Sequence, residues 1–357
     1  MTPRTNDTEL GNIEPLLENR AIDASAPCRI DFGGTLDISS LHYPLRRLAP
    51  TTVNIALNRR TTVSLGPATG DRIRISSTGF ADAAFDPSAA PYDHPLGLIF
   101  AVADYFGARG VHIRIHSTSP PKSGLGGSSV AAVALIAAFS KVLCKMDKRA
   151  LSLDQIVLLA HAIEQGVAGV PCGFQDQLAA AFGGVNTWTW PADPDLRPYS
   201  GRSLITGDAV GRLDPHLLVA YLGVTHVSRD VNNTWVRQFI NGSSRKNWHA
   251  IVRLTHDFAD AITRWDMPAA AEFMNRETAI RKAMTPQVLD DAGDKLAASA
   301  VDIGCGARFT GAGGGGCLWA IGEAVSIATL KPVWEKILAK RPAAGLLDCR
   351  VDATGVT

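Results

Sequence analysis

The chain has 357 residues, 46% hydrophobic and 19% charged, a globular composition that excludes a disordered chain and has room for two domains. Lys and Arg number 35 against 34 Asp and Glu, and the net charge of +1 argues against a dedicated nucleic-acid binder. Six cysteines without a C-x-x-C pair argue against a zinc ribbon or a disulfide scaffold and predict free thiols in a reducing compartment.

In chain order, residues 1–24 read as a loose, polar lead-in with no apolar h-region, so no signal peptide is visible. Strands are predicted over Cys28–Phe32, Thr52–Leu57, Thr61–Leu65, Arg72–Ser76 and Val111–Ile115, with a helix over His94–Phe106. Ser128–Leu143 reads as a buried helix, and its most apolar part falls short of the roughly 20 residues that span a bilayer. Ser152-Leu-Asp-Gln155 has the form of a capping box before a helix to about Gln165. A further helix runs to Phe182, Gly183–Gly184 stops it, and Val185–Trp190 reads as a strand.

Residues 191–215, rich in Pro, Asp and Gly, are expected to be a boundary region. Beyond it come a strand over Leu217–Leu222 and helices over Asp230–Ile240, Trp248–Trp265, Pro268–Met284 and Pro286–Ala300. Strands over Ala307–Thr310 and Cys317–Ile321 flank a glycine run, followed by a helix over Ile327–Ala339 and a last strand over Asp348–Val351. No internal repeat is visible. The interleaving without regular βαβ alternation predicts an α+β fold. A cytoplasmic protein that meets neither membrane nor nucleic acid is the expectation; the oligomeric state is not legible.

Two glycine loops carry chemical information. Pro120-Pro-Lys-Ser-Gly-Leu-Gly-Gly-Ser-Ser129 leads directly into an apolar helix. Small residues let backbone approach a ligand, and free N–H groups at a helix start suit a phosphate; the plain alternative is a glycine turn before a core helix. No Gly-Lys-Ser/Thr closes it, so it is not a Walker A loop. Gly311-x-Gly313-x-x-Gly316 formally matches a dinucleotide fingerprint, which would suggest a nicotinamide enzyme. A strand follows it where the fingerprint needs a helix, so close approach to the first loop or to a ligand, or a plain hairpin, explains it better.

Among charged residues, Asp176 lies where Pro and Gly break one helix and another begins. It reads either as an N-cap or as a carboxylate that orients a substrate hydroxyl, with Arg29 as counter-charge. Glu164 sits near the end of the preceding helix. Asp31 and Asp37 flank the Gly33–Gly34 turn and read equally as turn residues. Lys122 and Arg308 could touch phosphate or be solvated, and His161 reads as structural; the nine histidines show no metal spacing.

Four segments together resemble the GHMP kinases: Ala-Pro-Cys-Arg-Ile-Asp-Phe at 26–32, Gly-Leu-Gly-Gly-Ser-Ser at 124–129, Pro-Cys-Gly-Phe-Gln-Asp-Gln at 171–177 and Phe-Thr-Gly-Ala-Gly-Gly-Gly-Gly-Cys at 309–317. Gln175–Asn186 and Arg29–Asp37 are similar to the L-fucokinase and D-glycero-D-manno-heptose 7-phosphate kinase branch, while Pro171-Cys-Gly is galactokinase-like. The chain departs from the branch by one residue missing between Phe32 and Gly33 and by Thr35-Leu36 in place of Trp/Gly-Thr.

The resemblance implies two domains, a ribosomal-protein-S5-domain-2-like one over 25–205 and a ferredoxin-like one over 206–357. It implies ATP and Mg²⁺ as cofactors and phosphorylation of a monosaccharide or sugar phosphate at the anomeric hydroxyl. Lys122, Ser123, Gly124, Leu125, Gly126, Gly127, Ser128 and Ser129 would cradle the ATP phosphates. Ser128, in preference to Ser129, and Glu164 would hold the metal. Asp176 would contact the acceptor hydroxyl with help from Arg29, and Asp37, Gly34, Gly173, Gly313 and Gly314 would line the acceptor side. A non-sugar acceptor such as mevalonate or homoserine, or a non-catalytic binding relative, are the competing readings.

Overall fold

The computed structural model describes residues 8–18, 20–169, 171–193, 195–224 and 228–357, without the side chains of 228–230. The long strand Thr51–Pro67 organises the first half, pairing with Ile22–Phe32, Val111–Ser117 and Val185–Thr189 in a seven-stranded sheet. The two strands expected within it are one element. It carries β-branched residues throughout, and a register shift in its partner at Pro27/Cys28 absorbs the irregular middle. The proline sits at that bulge, where its missing N–H breaks no ladder. The helix Gly127–Lys145 is buried along nearly its whole length. It is the one described helix long and apolar enough to cross a membrane, and it serves here as core against the sheet.

The second half forms a four-stranded sheet in the order Gly306–Phe309, Cys317–Ile321, Leu217–Tyr221, Gly345–Leu347. Taken along the chain, strands and helices run β-α-β-β-α-β, the ferredoxin-like arrangement. The layers meet through apolar stacking, with Phe32 on Phe258 at 4.1 Å between ring centroids and Phe258 edge-on to Trp319.

Four expectations need correction. Of the lead-in, residues 1–7 and 19 lie outside the described residues; the rest is not loose. Gly11–Asn12 pairs with Ala108–Arg109, and Leu10, Ile13 and Leu17 are buried. The boundary region holds a strand, Ser200–Ile205, paired with Val185–Thr189 at the sheet edge. An edge strand exposed on most positions lacks the alternation that would reveal it. The helix expected from Pro286 begins at Asp291, because Asp290 supplies the cap to the Gly293 N–H, and Pro286–Val288 is a separate 3-10 turn. The last strand is Gly345–Leu347, and the tail beyond it returns to the first sheet. There Val351 bridges Leu57, and Thr357 exchanges backbone hydrogen bonds with Ser25.

Candidate active site

The loop 120–129 takes its shape from Gly124 and Gly126, both left-handed at φ 75 and 82°. Gly126 is the N-cap of the helix Gly127–Lys145, which has neither a side-chain cap nor an acidic residue in its first turn. Gly127 and Ser128 are exposed, and a Cβ on Gly127 would meet nothing within 4 Å. The positive end of a 19-residue helix is thus left open toward solvent, a ready site for an anion. Lys122 is exposed beside it, whereas the side chains of Ser123 and Leu125 are buried, so those two offer only main chain.

Arg29 leaves its strand just past the bulge and ties this loop to Asp176. Its backbone N–H donates to the Leu125 carbonyl (3.2 Å) and its Nη1 to the Gly124 carbonyl (2.7 Å). Its Nε and Nη2 lie 2.8 and 2.6 Å from Asp176 Oδ1. Burial opposes the charge on Arg29, but Asp176 and Asp31 outweigh it and hold the guanidinium above its ordinary range. Asp176 is the second residue of the helix Gln175–Phe182, whose N-cap is Phe174, so the capping alternative is excluded. Its side chain keeps a quarter of its surface exposed, and its Cγ would lie 3.2 Å from a Cβ on Gly126. The carboxylate therefore abuts the glycine loop itself.

On the other flank, Ser128 Oγ and Ser129 Oγ donate to Glu164 Oε1 and Oε2 at 2.9 and 2.7 Å, and Gln177 Nε2 donates to Oε2 at 2.7 Å. Burial pushes the Glu164 carboxyl up, with those three hydrogen bonds opposing. Gln177 Oε1 is buried without a hydrogen-bond partner among the described residues. One carboxylate with hydroxyl oxygens fits Mg²⁺, which keeps waters and takes its remaining ligands from phosphates. Among the described residues no group of three or more His, Cys, Asp or Glu is placed to hold a metal ion.

Asp37 reaches the same helix: its Oδ2 accepts from the Gln175 N–H at 3.0 Å. Burial raises its carboxyl to about 7, against that hydrogen bond. Gly173 is needed here, because a Cβ would stand 1.8 Å from Asp37 Oδ2, and Gly34 leaves similar room for Asp31 Oδ2. Burial pushes the nearby Cys172 thiol up to about 12, which rules against a thiolate nucleophile; none of the six cysteines forms a disulfide. The His161 ring stacks on Phe174 at 3.6 Å, a packing role as expected.

The glycine run meets the loop 120–129 through Thr310, whose hydroxyl donates to the Ser123 carbonyl at 3.5 Å. Gly313 and Gly314 do not join the acceptor side as donors. Their N–H groups are spent on the carbonyls of Thr310 and Val288, and Gly313 packs against Val288. Arg308 is not solvated, and its described partners do not include the open helix end. It is wholly buried and bonds Asp31 Oδ2 (3.0 Å) and Glu277 Oε2 (3.0 Å). Asp31 is likewise no simple turn residue, since its Oδ1 accepts from the Gly311 N–H at 2.7 Å. Sequence reasoning passed over Glu277 and Arg281. One signal was present: both fall on the buried stripe of their helix with Ala270, Met274 and Thr278, where an unpaired charge would be costly.

Set beside known proteins, residues 94–184 match the GHMP kinases N terminal domain. That match takes in the loop 120–129 and the helices that carry Glu164 and Asp176. It is 26% identical over 214 residues to the D-glycero-alpha-D-manno-heptose 7-phosphate kinase of Campylobacter jejuni, covering 58% of this chain and 60% of that protein's length. Its fold is that of a D-glycero-D-manno-heptose 1-phosphate kinase from Bacteriodes thetaiotaomicron (TM-score 0.70, 18% identity, 94% and 97% of the two chains). It is equally that of Lactococcus lactis galactokinase complexed with galactose (TM-score 0.69, 16% identity, 94% and 95%).

Proposed function

We propose that this chain is an ATP-dependent sugar kinase. It would transfer the γ-phosphoryl group of ATP to a hydroxyl of a monosaccharide or sugar phosphate, at the anomeric position, giving a sugar 1-phosphate and ADP. The observation that carries this reading is Arg29, which holds Asp176 against a phosphate-binding helix end that the protein itself leaves empty. The relatives named above, a heptose-phosphate kinase and a galactokinase among them, support a sugar as acceptor.

The chain's own residues divide the work. The backbone of 122–129 binds phosphate oxygens, and the open helix end favours their charge. Ser128 and Glu164 would hold Mg²⁺, which when bound neutralises charge on the phosphates. Asp176 orients the acceptor hydroxyl and takes its proton, while the new bond forms from that oxygen to phosphorus and the bond to ADP breaks. Arg29 fixes Asp176 in place and offsets the charge between the two anionic partners. Asp37 would hold a second hydroxyl of the sugar. The reducing, cytoplasmic setting expected from the thiols is part of the same reading.

ADP release from Mg·ATP should be measured across free and phosphorylated hexoses and heptoses, with mevalonate and homoserine as controls. Turnover with a sugar or sugar phosphate is the expected result. Turnover with mevalonate or homoserine alone would replace the acceptor, and nucleotide binding without transfer to any member would overturn the kinase reading.

A further inference from the structure

A line of six charges of alternating sign begins at the candidate active site and runs into the second half of the chain. Asp176 lies 2.6 Å from Arg29, Arg29 lies 3.5 Å from Asp31, and Asp31 lies 3.0 Å from Arg308. Arg308 lies 3.0 Å from Glu277, and Glu277 lies 2.7 Å from Arg281. Glu277, Arg281 and Arg308 have no exposed surface at all. Such burial costs more than an apolar substitute of the same volume would, so stability alone does not account for the line. Its geometry suggests what it does.

Asp31 competes for Arg29. Left alone, it would draw the guanidinium from Asp176, because both carboxylates are within reach. Arg308 and the Gly311 N–H occupy both of its oxygens and leave Nε and Nη2 of Arg29 on Asp176. At the far end the Arg281 guanidinium is held against two indoles set nearly perpendicular to each other, 4.6 Å from the Trp235 ring centroid and 4.7 Å from that of Trp248. So clamped, it donates to the Thr35 hydroxyl at 2.8 Å and the Gly34 carbonyl at 2.6 Å. Thr35 adopts φ 71°, a conformation that a β-branched residue holds only when its surroundings impose it. That turn leads to Asp37, docked on the first N–H of the Asp176 helix. It is also the turn in which this chain is one residue shorter than the pattern it otherwise resembles.

We propose that Arg281 and Arg308 are positioning residues for the acceptor: Arg281 braces the Gly34–Thr35 turn that presents Asp37, and Arg308 occupies Asp31 so that Arg29 stays on Asp176. The proposal rests on the kinase reading for its substrate but not for its mechanics. Arg281→Lys, Arg308→Lys, Thr35→Ala and Thr35→Ser should be compared with the unaltered chain by steady-state kinetics and by hydrogen–deuterium exchange of two segments, 33–38 and 122–129.

Thr35→Ala and Arg281→Lys should raise KM for the acceptor about tenfold or more with KM for Mg·ATP nearly unchanged, and should speed exchange in 33–38 but not in 122–129. Thr35→Ser, which keeps the hydroxyl, should restore both readouts. Arg308→Lys should lower kcat on the order of 10- to 100-fold with both KM values held. Thr35→Ala keeps the test intact if an arginine variant fails to fold. Unchanged exchange and acceptor KM in folded Thr35→Ala, or equal losses for both substrates, would overturn the bracing role. Unchanged kcat in folded Arg308→Lys would overturn the other. If the unaltered chain transfers phosphate to no acceptor, the kinase reading falls, and the exchange data still decide whether Arg281 braces the turn.

Discussion

Two helices open side by side at the candidate site, and they treat the same dipole in opposite ways. The helix from Gln175 fills its positive end with the protein's own carboxyl groups: Asp37 takes the Gln175 N–H and Asp176 sits in the first turn. The helix from Gly127 has no cap and no acid, and its first residue faces open space. A third helix, Leu153–Ala168, shows the purely structural solution, a complete Ser152–Gln155 capping box. Partial charges at a helix end are generic; what satisfies them separates scaffold from the proposed acceptor and phosphate sides.

The largest effect should come from the filled end. Asp176→Asn keeps the shape and should fold normally, yet slow transfer on the order of 10²- to 10⁴-fold, the range for a positioned acid–base group. Single-turnover rates at saturating Mg·ATP measure it. The comparison sharpens if the open end is filled artificially. Gly127→Asp has room for its side chain and should leave thermal stability unchanged or slightly higher, by about 0.3–1 kcal/mol. The new carboxylate would occupy the place of a phosphate, so ATP affinity should fall roughly tenfold or more. Unimpaired nucleotide binding by calorimetry would mean that phosphates sit elsewhere.

Asp37 gives a pH signature. Its carboxyl is raised from 3.8 to about 7 in the fold, so the native state keeps a proton that the unfolded chain has lost across that window. Stability should therefore fall as pH rises from about 4 to about 7 and level off above. Each pH step of one within that window costs about 1.4 kcal/mol, a few kcal/mol in all. Asp37→Asn should remove this contribution; Glu164, raised in the same direction, adds to it, while His42, His112 and His161, lowered by burial, oppose it. Denaturant midpoints across that range test it; an unchanged slope would contradict the assignment. The smallest effect belongs to the structural helix, where Ser152→Ala should cost about 1 kcal/mol and leave kcat alone.

The same contrast explains what the sequence revealed. The shape of the loop 120–129 was legible because its geometry is local: Gly124 and Gly126 are small where left-handed turns are needed, and an apolar helix follows at once. Asp176 and Arg29 were legible as motif members, although their contact, across 147 residues, was not visible in either segment. Arg281 and Arg308 were misread or passed over because their partners Gly34, Thr35 and Asp31 lie about 250 residues or more earlier in the chain, and Glu277 because its charge is matched by those two arginines. Only charges on an apolar stripe hinted at them. The tail along the first sheet had no local signal either, since isolated backbone bonds such as Val356 N–H to the Ala181 carbonyl impose no side-chain pattern.

The central claim is that Arg29 and Asp176 act as one unit against the phosphate loop. A double-mutant cycle on single-turnover phosphoryl transfer, with Arg29→Met, Asp176→Asn and the pair, measures this directly. The account predicts that the pair is about as slow as the slower single variant. Losses that simply multiply would contradict it and leave the two residues working independently.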